Sequence, residues 1–262
     1  LEAELAYVTG GFDWEASYNV VQPEKGNTLD LVGWVTLKNN SGTNFTNARI
    51  KLLAGEVHKI QPPQPMLRGR RGVVPEAATL AAAPQVTEKT FDEFHLYTLA
   101  NATTLRDKET KQVEFVRAAG VKSERLYVYD GAMLHGWQPG QAMGGDPGYG
   151  ATGNMKIAVY REFKNTKENQ LGIPLPAGRI RFYTKDEADQ SLQFVGENTI
   201  EHTPKDELLR LYVGDSFDLV GEHKRTDMKM RGGNQVAEEA FEIKLRNRKT
   251  EPVTIRVVEH LF

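Results

Sequence analysis

The stretch NQLGIPLPAGRIRFY, residues 169–183, joins two prolines and two glycines to an alternating tail. A phosphate-binding loop needs consecutive backbone N–H donors at the start of a helix. Pro174 and Pro176 have no N–H, and Ile180 and Phe182 alternate with polar residues, which is a strand pattern. The stretch therefore predicts the start of a strand, with the prolines on an edge or corner segment that blocks further pairing.

The same alternation of apolar and polar residues recurs along most of the chain. No window of about a dozen residues shows the 3.6-residue apolar stripe of an amphipathic helix. Short strands separated by turn residues about every ten positions are typical of β-sandwiches. The sequence predicts an all-β protein of two immunoglobulin-like sandwich units, with mostly antiparallel strands and little helix. The clearest alternating segments are 14–20, 29–38, 155–160, 179–183, 208–213 and 241–246.

Two stretches interrupt the strand pattern. Residues 61–90 contain five prolines and an alanine-rich patch, which predicts a long insertion within the N-terminal unit. Residues 136–153 contain seven glycines and two prolines, more backbone freedom than a packed element tolerates. We therefore expect an N-terminal unit over 1–138 and a C-terminal unit over 151–262.

Composition excludes several classes of function. The formal net charge of −2 gives no overall attraction to nucleic acid, and the absence of cysteine removes disulfides and thiolate chemistry. No apolar run approaches the roughly 18 residues that a transmembrane helix needs. We expect no nucleic-acid partner, no membrane-spanning segment and no cofactor, and the oligomeric state stays open. The chain begins without methionine, so we also expect it to be the C-terminal part of a longer protein.

The six histidines show no metal-binding spacing. Three of them directly follow a glutamate, but neighbours on a strand point to opposite faces, so no metal site is predicted. In HTPKDE, residues 202–207, His202 either belongs to a capped turn or forms an acid–base pair with Asp206. No catalytic residue is predicted.

The glycine-rich stretch contains the candidates for ligand binding. Trp14, Trp34 and Trp137 are expected to fill cores. Trp137, which lies beside the glycines, is alternatively a candidate for ligand contact together with Tyr149. If that is right, the two rings are exposed in one groove. His135 and His202 complete the candidate set.

Several phrases together resemble a known family. They are GGFDWEASYNV, GWVTLKNNSGTNFTNARIKLLAGEV, FHLYTL, ENQLGIPLPAGRIRFY, IEHTPKDELLRLYVGDSFDLVGEHKRTD and IKLRNRKTEPVTIRVVEHL. The chain resembles the bacterial domain-of-unknown-function family numbered 4139, which also supplies the C-terminal region of mucoidy-inhibitor-A-like proteins. The resemblance implies a further N-terminal region, often behind an export signal, and a location in the periplasm or cell envelope. It implies no established enzymatic activity.

Three functional hypotheses follow. The favoured one is a non-catalytic binding or scaffolding module of the bacterial envelope, whose loops 61–90 and 136–153 contact a protein or glycan, because loops on rigid sandwiches commonly carry recognition. The second is a hydrolase that uses His202 or His135 and is completed by groups from a preceding region. The third is a structural module that self-assembles through an apolar edge or patch.

Overall fold

The computed structural model describes residues 3–55, 86–91, 93–131, 153–232 and 236–260. These ranges form fourteen strands and one 3-10 turn, so the prediction of an all-β protein is confirmed. Among them, no helix has the length and apolar character that crossing a membrane would require. The elements are β1 (Phe12–Pro23), β2 (Thr28–Asn39), β3 (Phe45–Ala48), β4 (Lys51–Ala54), β5 (Val86–Phe91), β6 (Phe94–Leu99), β7 (Thr103–Leu105), β8 (Thr110–Asp130), β9 (Lys156–Lys164), the 3-10 turn (Lys167–Asn169), β10 (Gly178–Lys185), β11 (Leu192–Ile200), β12 (Leu208–Arg231), β13 (Val236–Asn247) and β14 (Ile255–Val258).

Nine of these strands form one mixed sheet in the order β11-β10-β1-β2-β8-β9-β12-β13, with β14 paired to β8. Two pairs are parallel, β1 with β10 and β14 with β8, and the other pairs are antiparallel. The long strand β8 pairs with β2 through its first part and with β9 and β14 through its last part. It thereby joins the strands β11, β10, β1 and β2 on one side to β9, β12 and β13 on the other.

The strands form where the sequence alternates, because one face of each strand is buried. In β2, Leu29, Leu31, Val35 and Leu37 are buried while their neighbours are at least partly exposed or polar. Gly33 occupies another inward position, where a Cβ would lie 2.5 Å from Val116 and 2.7 Å from Phe115.

Two small sheets form a second layer over this buried face. They are the three-stranded sheet β4-β6-β5 and the pair β3-β7. Leu52, Tyr97 and Leu105 of these sheets belong to the same buried cluster as Tyr18 and Phe115 of the large sheet. Both tyrosine rings meet Phe115 edge-on, with ring centroids 5.6 Å away for Tyr18 and 6.4 Å for Tyr97. This layered packing gives the sandwich-like core that the alternation predicted.

The sheet does not follow the predicted division into units 1–138 and 151–262. Strand β1 lies between β2 and β10, so strands from both sides of the predicted boundary interleave. The larger buried cluster also joins them, and a smaller cluster forms from Tyr127, Tyr129, Ile157 and Leu219. Alternation specifies which face of a strand is buried but not which strand lies beside it. Residues 139–150, which separate the two predicted units, lie outside the described residues.

Two local expectations are also corrected. The predicted insertion at 61–90 ends earlier, because residues 86–91 form strand β5 beside β6, while residues 61–85 lie outside the described residues. The predicted edge or corner segment at Pro174–Pro176 is not an edge: it is buried, Leu175 pairs with Thr203, and β10 continues between β1 and β11. Tyr97 Oη donates to the Pro174 carbonyl at 2.8 Å, and Tyr18 Oη donates to the Pro176 carbonyl at 2.6 Å. The two carbonyls are thus satisfied by side chains.

Candidate functional site

Three of the predicted ligand-binding residues, His135, Trp137 and Tyr149, lie outside the described residues. Their proposed groove stays a prediction. The core prediction for the other tryptophans is met in part: Trp14 packs against the larger buried cluster while half-buried, and Trp34 is half-buried on the other face of β2.

His202, the fourth candidate, is an exposed residue that stabilises a turn. Its Nδ1 accepts a hydrogen bond from the Ala177 N–H at 3.1 Å, beside the backbone bridge between Leu175 and Thr203. Neither a hydrogen bond nor an ion pair joins His202 to Asp206, both of which are described; the Asp206 N–H donates instead to the Asn165 carbonyl. The turn interpretation of HTPKDE is therefore the one that the geometry supports.

Histidine–carboxylate pairs occur elsewhere, between residues distant in the sequence. His223 Nε2 lies 3.0 Å from Glu259 Oε2, and His260 Nε2 lies 3.0 Å from Asp130 Oδ2. The His223 side chain is fully buried, and its ring packs on Phe241 with centroids 5.0 Å apart. These pairs tie the C-terminal segment to β8 and β12. The sequence does not predict these pairs, because the sequence analysis considered only carboxylates close to each histidine along the chain.

The backbone closes tightly around His223. A Cβ on Gly131 would lie 2.5 Å from the His223 Cβ, and one on Gly153 would lie 2.6 Å from its carbonyl oxygen. The backbone of Gly131 and Gly153 therefore packs directly against His223. Within the five described ranges, no three His, Asp or Glu side chains are grouped so as to hold a metal ion.

A different polar side chain, Arg161, is buried at the centre of the large sheet. It is only 1% exposed. Its Nε donates to Gln22 Oε1 at 2.7 Å and its Nη1 donates to the Gly26 carbonyl at 3.2 Å, with a longer contact of 3.5 Å to Ser123 Oγ. Its Nη2 is buried and makes no hydrogen bond. Each of these partners is neutral, and among the described residues no carboxylate forms an ion pair with the guanidinium.

Arg161 lines a cavity of about 200 Å³, which we call the Arg161 cavity. The other lining residues are Gln22, Arg125, Tyr127, Val159, Val213, Ser216, Phe217, Asp218 and Lys249. They come from β1, β8, β9 and β12 and from the segment after β13. The site is therefore assembled by the junction of distant strands, which is why no local motif predicts it.

The electrostatics of this cavity are dominated by cations. Arg125 donates through Nη2 to the Glu24 carbonyl at 3.0 Å, and Lys249 Nζ lies 5.6 Å from the centre of the Tyr127 ring. Burial and the charge of Arg125 lower the pKa of Arg161 to about 10, so its guanidinium is still charged at neutral pH. Among the described carboxylates, none forms an ion pair with Arg161, Arg125 or Lys249.

One sequence signal points to Arg161. In β9 the inward positions are Ile157, Val159, Arg161 and Phe163, so a single cation interrupts an apolar face. A charge at a core position is rare unless it is paired or binds a ligand.

A second cavity, of about 320 Å³, shares Gln22 with the Arg161 cavity. It is lined by Val21, Gln22, Pro23, Thr28, Leu29, Asp30, Lys185, Glu187 and Gln190.

The two end strands of the large sheet differ in charge. Strand β13 carries Glu238, Glu239, Glu242, Lys244 and Arg246, whereas β11 carries only Glu197. Three of the first four residues of β11, Leu192–Val195, are apolar and exposed: 52% for Leu192, 56% for Phe194 and 40% for Val195. We call this segment the β11 edge. Further along β11, Gly196 and Asn198 lie against the β12 backbone, so only the first residues are open.

Comparisons with protein-family models, with curated proteins and with solved structures found no match to this chain. The resemblance to family 4139 therefore stays a prediction.

Proposed function

We propose that this protein is a non-catalytic binding or scaffolding module of the bacterial cell envelope, and that it binds a protein partner along the β11 edge. The observation that carries the proposal is the exposure of Leu192, Phe194 and Val195 on an end strand of the large sheet. Exposed apolar patches on a folded protein commonly mark interaction sites.

The contrast between the two end strands favours an extended protein segment as the occupant. Natural sheets protect their edges with charged side chains, because unpaired N–H and C=O groups attract further strands. Strand β13 has this protection and the β11 edge does not. A partner segment added beside Leu192–Val195 would gain main-chain hydrogen bonds and cover the apolar side chains.

The envelope location rests on the family resemblance alone. Fractionation of cells that express the full-length protein tests it, with recovery in the periplasmic or membrane fraction as the expected result. Recovery in the cytosol would contradict it. The hydrolase hypothesis stays a prediction, because His135 lies outside the described residues and His202 is engaged with backbone.

Site-specific photocrosslinking in the native cells tests the binding proposal. A photoreactive residue replaces Gln193 in the β11 edge, and the matched control replaces Glu242 on the charged end strand β13; both positions are exposed. We expect one defined protein adduct from position 193, none from 242, and loss of the adduct in Phe194→Lys, which places on β11 the kind of charge that protects β13.

The outcomes separate the alternatives. An adduct of twice the chain mass indicates self-assembly, and retention by a glycan array with no protein adduct indicates a glycan partner; either result replaces the proposal. Equal labelling at 193 and 242 also contradicts it. Urea unfolding of Phe194→Lys checks that the folded state persists, which we expect because Phe194 is more than half exposed.

A further inference from the structure

We propose that the Arg161 cavity binds the oxyanion group, a carboxylate or a phosphate, of a small organic ligand. This site is separate from the β11 edge and does not depend on the function proposed for that edge.

Arg161 has a buried donor that no acceptor satisfies. A guanidinium that is 1% exposed and has no counter-charge is expensive to bury, and buried charges in proteins are normally paired. Gln22 and the Gly26 carbonyl fix the plane of the Arg161 side chain through its Nε and Nη1. Nη2 is left as a buried donor without an acceptor. An oxyanion in the adjoining cavity would supply both the acceptor and the missing negative charge.

The side chains that line the cavity carry a net positive charge. Arg125 and Lys249 add two further cations to Arg161, against the single carboxylate of Asp218. The three cations come from separate strands and segments, so their shared cavity is a product of the fold. The low dielectric constant of the protein around the cavity strengthens the attraction between these cations and an anion inside it.

The cavity has the size and the partly apolar wall that a small organic ligand needs. The cavity measures about 200 Å³, whereas an engineered apolar cavity of about 150 Å³ is large enough to bind benzene. Val159, Val213 and Phe217 supply apolar wall, and the Phe217 ring is 96% exposed. An exposed aromatic ring at the opening suits a ligand with an apolar body, which the ring would cover on binding.

Isothermal titration calorimetry at neutral pH and low salt tests the proposal with four probes. Benzoate and phenyl phosphate carry the two oxyanions on one apolar body, inorganic phosphate carries the oxyanion alone, and benzyl alcohol is the neutral counterpart. We expect benzoate or phenyl phosphate to bind with one-to-one stoichiometry and at least tenfold more tightly than benzyl alcohol. The comparison of the two aromatic anions decides between carboxylate and phosphate.

Variants assign the binding to the cavity. Arg161→Met removes the buried donor, and Lys249→Gln and Phe217→Ala change its surroundings without touching the hydrogen bonds of Arg161. We expect at least a tenfold loss of affinity in Arg161→Met and Lys249→Gln and a smaller loss in Phe217→Ala. Lys205→Gln, at an exposed lysine outside the cavity lining, should bind as the unmodified chain does.

Two results would overturn the proposal. One is that no anionic probe binds more tightly than benzyl alcohol. The other is that anion binding survives Lys249→Gln and Phe217→Ala unchanged, which decides the matter even if Arg161→Met fails to fold. Phe194→Lys should leave anion binding intact, so failure at the β11 edge and failure at the cavity are distinguishable.

Discussion

Replacing Tyr18 with phenylalanine removes one hydroxyl from the centre of the larger buried cluster. Tyr18 is 0% exposed, and its Oη donates to the Pro176 carbonyl at 2.6 Å. The substitution removes this donor and leaves the carbonyl of the buried Pro176 without its tyrosine hydrogen bond. Such a group costs about 1–3 kcal/mol, and we expect the free energy of unfolding to fall by about that amount.

Urea unfolding followed by tryptophan fluorescence measures the change. Tyr183→Phe is the matched control, because the Tyr183 ring contacts the exposed Phe194 and its hydroxyl makes no hydrogen bond to any residue that the structure describes. The control should stay within about 0.5 kcal/mol of the unmodified chain. Equal midpoints for Tyr18→Phe and Tyr183→Phe would refute the claim that the tyrosine anchors the proline segment.

The same residue predicts an alkaline effect of defined sign. Burial, and then the nearby Tyr97, raise the pKa of Tyr18 well above its ordinary value. The unfolded chain therefore loses the phenol proton at a lower pH than the folded chain, and stability falls as pH rises above the unfolded pKa. The slope is about 1.4 kcal/mol per pH unit for one group. Because phenylalanine does not titrate, the deficit of Tyr18→Phe should shrink above about pH 10; a constant deficit would contradict this reasoning.

Three further substitutions probe other parts of the structure. Gly221→Ala places a Cβ 1.9 Å from the Tyr129 ring and should cost about 1–3 kcal/mol in urea unfolding, whereas Gly10→Ala, with no atom within 4 Å of the new Cβ, should cost far less. Asn165→Ala removes an amide that donates to the Ile173 and Pro204 carbonyls and should lower unfolding free energy by about 2–4 kcal/mol, because two acceptors lose their donor. The hydrogen bond from the Arg106 N–H, aided by Lys111, lowers the pKa of Glu109 in the folded chain. The stabilisation that Glu109 provides is therefore present above its pKa in the unfolded chain and is lost as the pH falls through its pKa in the folded chain. Glu109→Gln should thus lose less stability on acidification, and equal losses in both chains during acid unfolding would contradict this.

The alternation of apolar residues is a local property, and it predicted the strands well. The inward face of β2 and the start of β10 at Gly178 follow from the sequence pattern. The length of β8 does not follow from it: Thr110–Asp130 form one strand, because a bulge near Gly120, with φ of +66°, shifts the register without ending the pairing. A glycine in such a position looks like a turn when only neighbouring residues are considered.

The Arg161 cavity could not be predicted from neighbouring residues, because its lining comes from strands that are distant in the sequence. Arg161 was visible as a cation on the apolar face of β9, but its meaning depends on Arg125 and Lys249, which the fold brings to the same cavity. The pairing of His223 with Glu259 is equally non-local. Sequence patterns predict which residues are buried, whereas the neighbours of a buried polar group are decided by strand order.

The parallel pairing of β1 with β10 has a consequence for biosynthesis. Ala16 meets Gly178, so the ribosome must add more than 150 residues after β1 before its neighbour exists. At roughly 5–20 residues per second, this takes on the order of ten to thirty seconds. Throughout that interval the side of β1 that will meet β10 has no companion strand, and an unpaired strand edge of this kind exposes a nascent chain to aggregation.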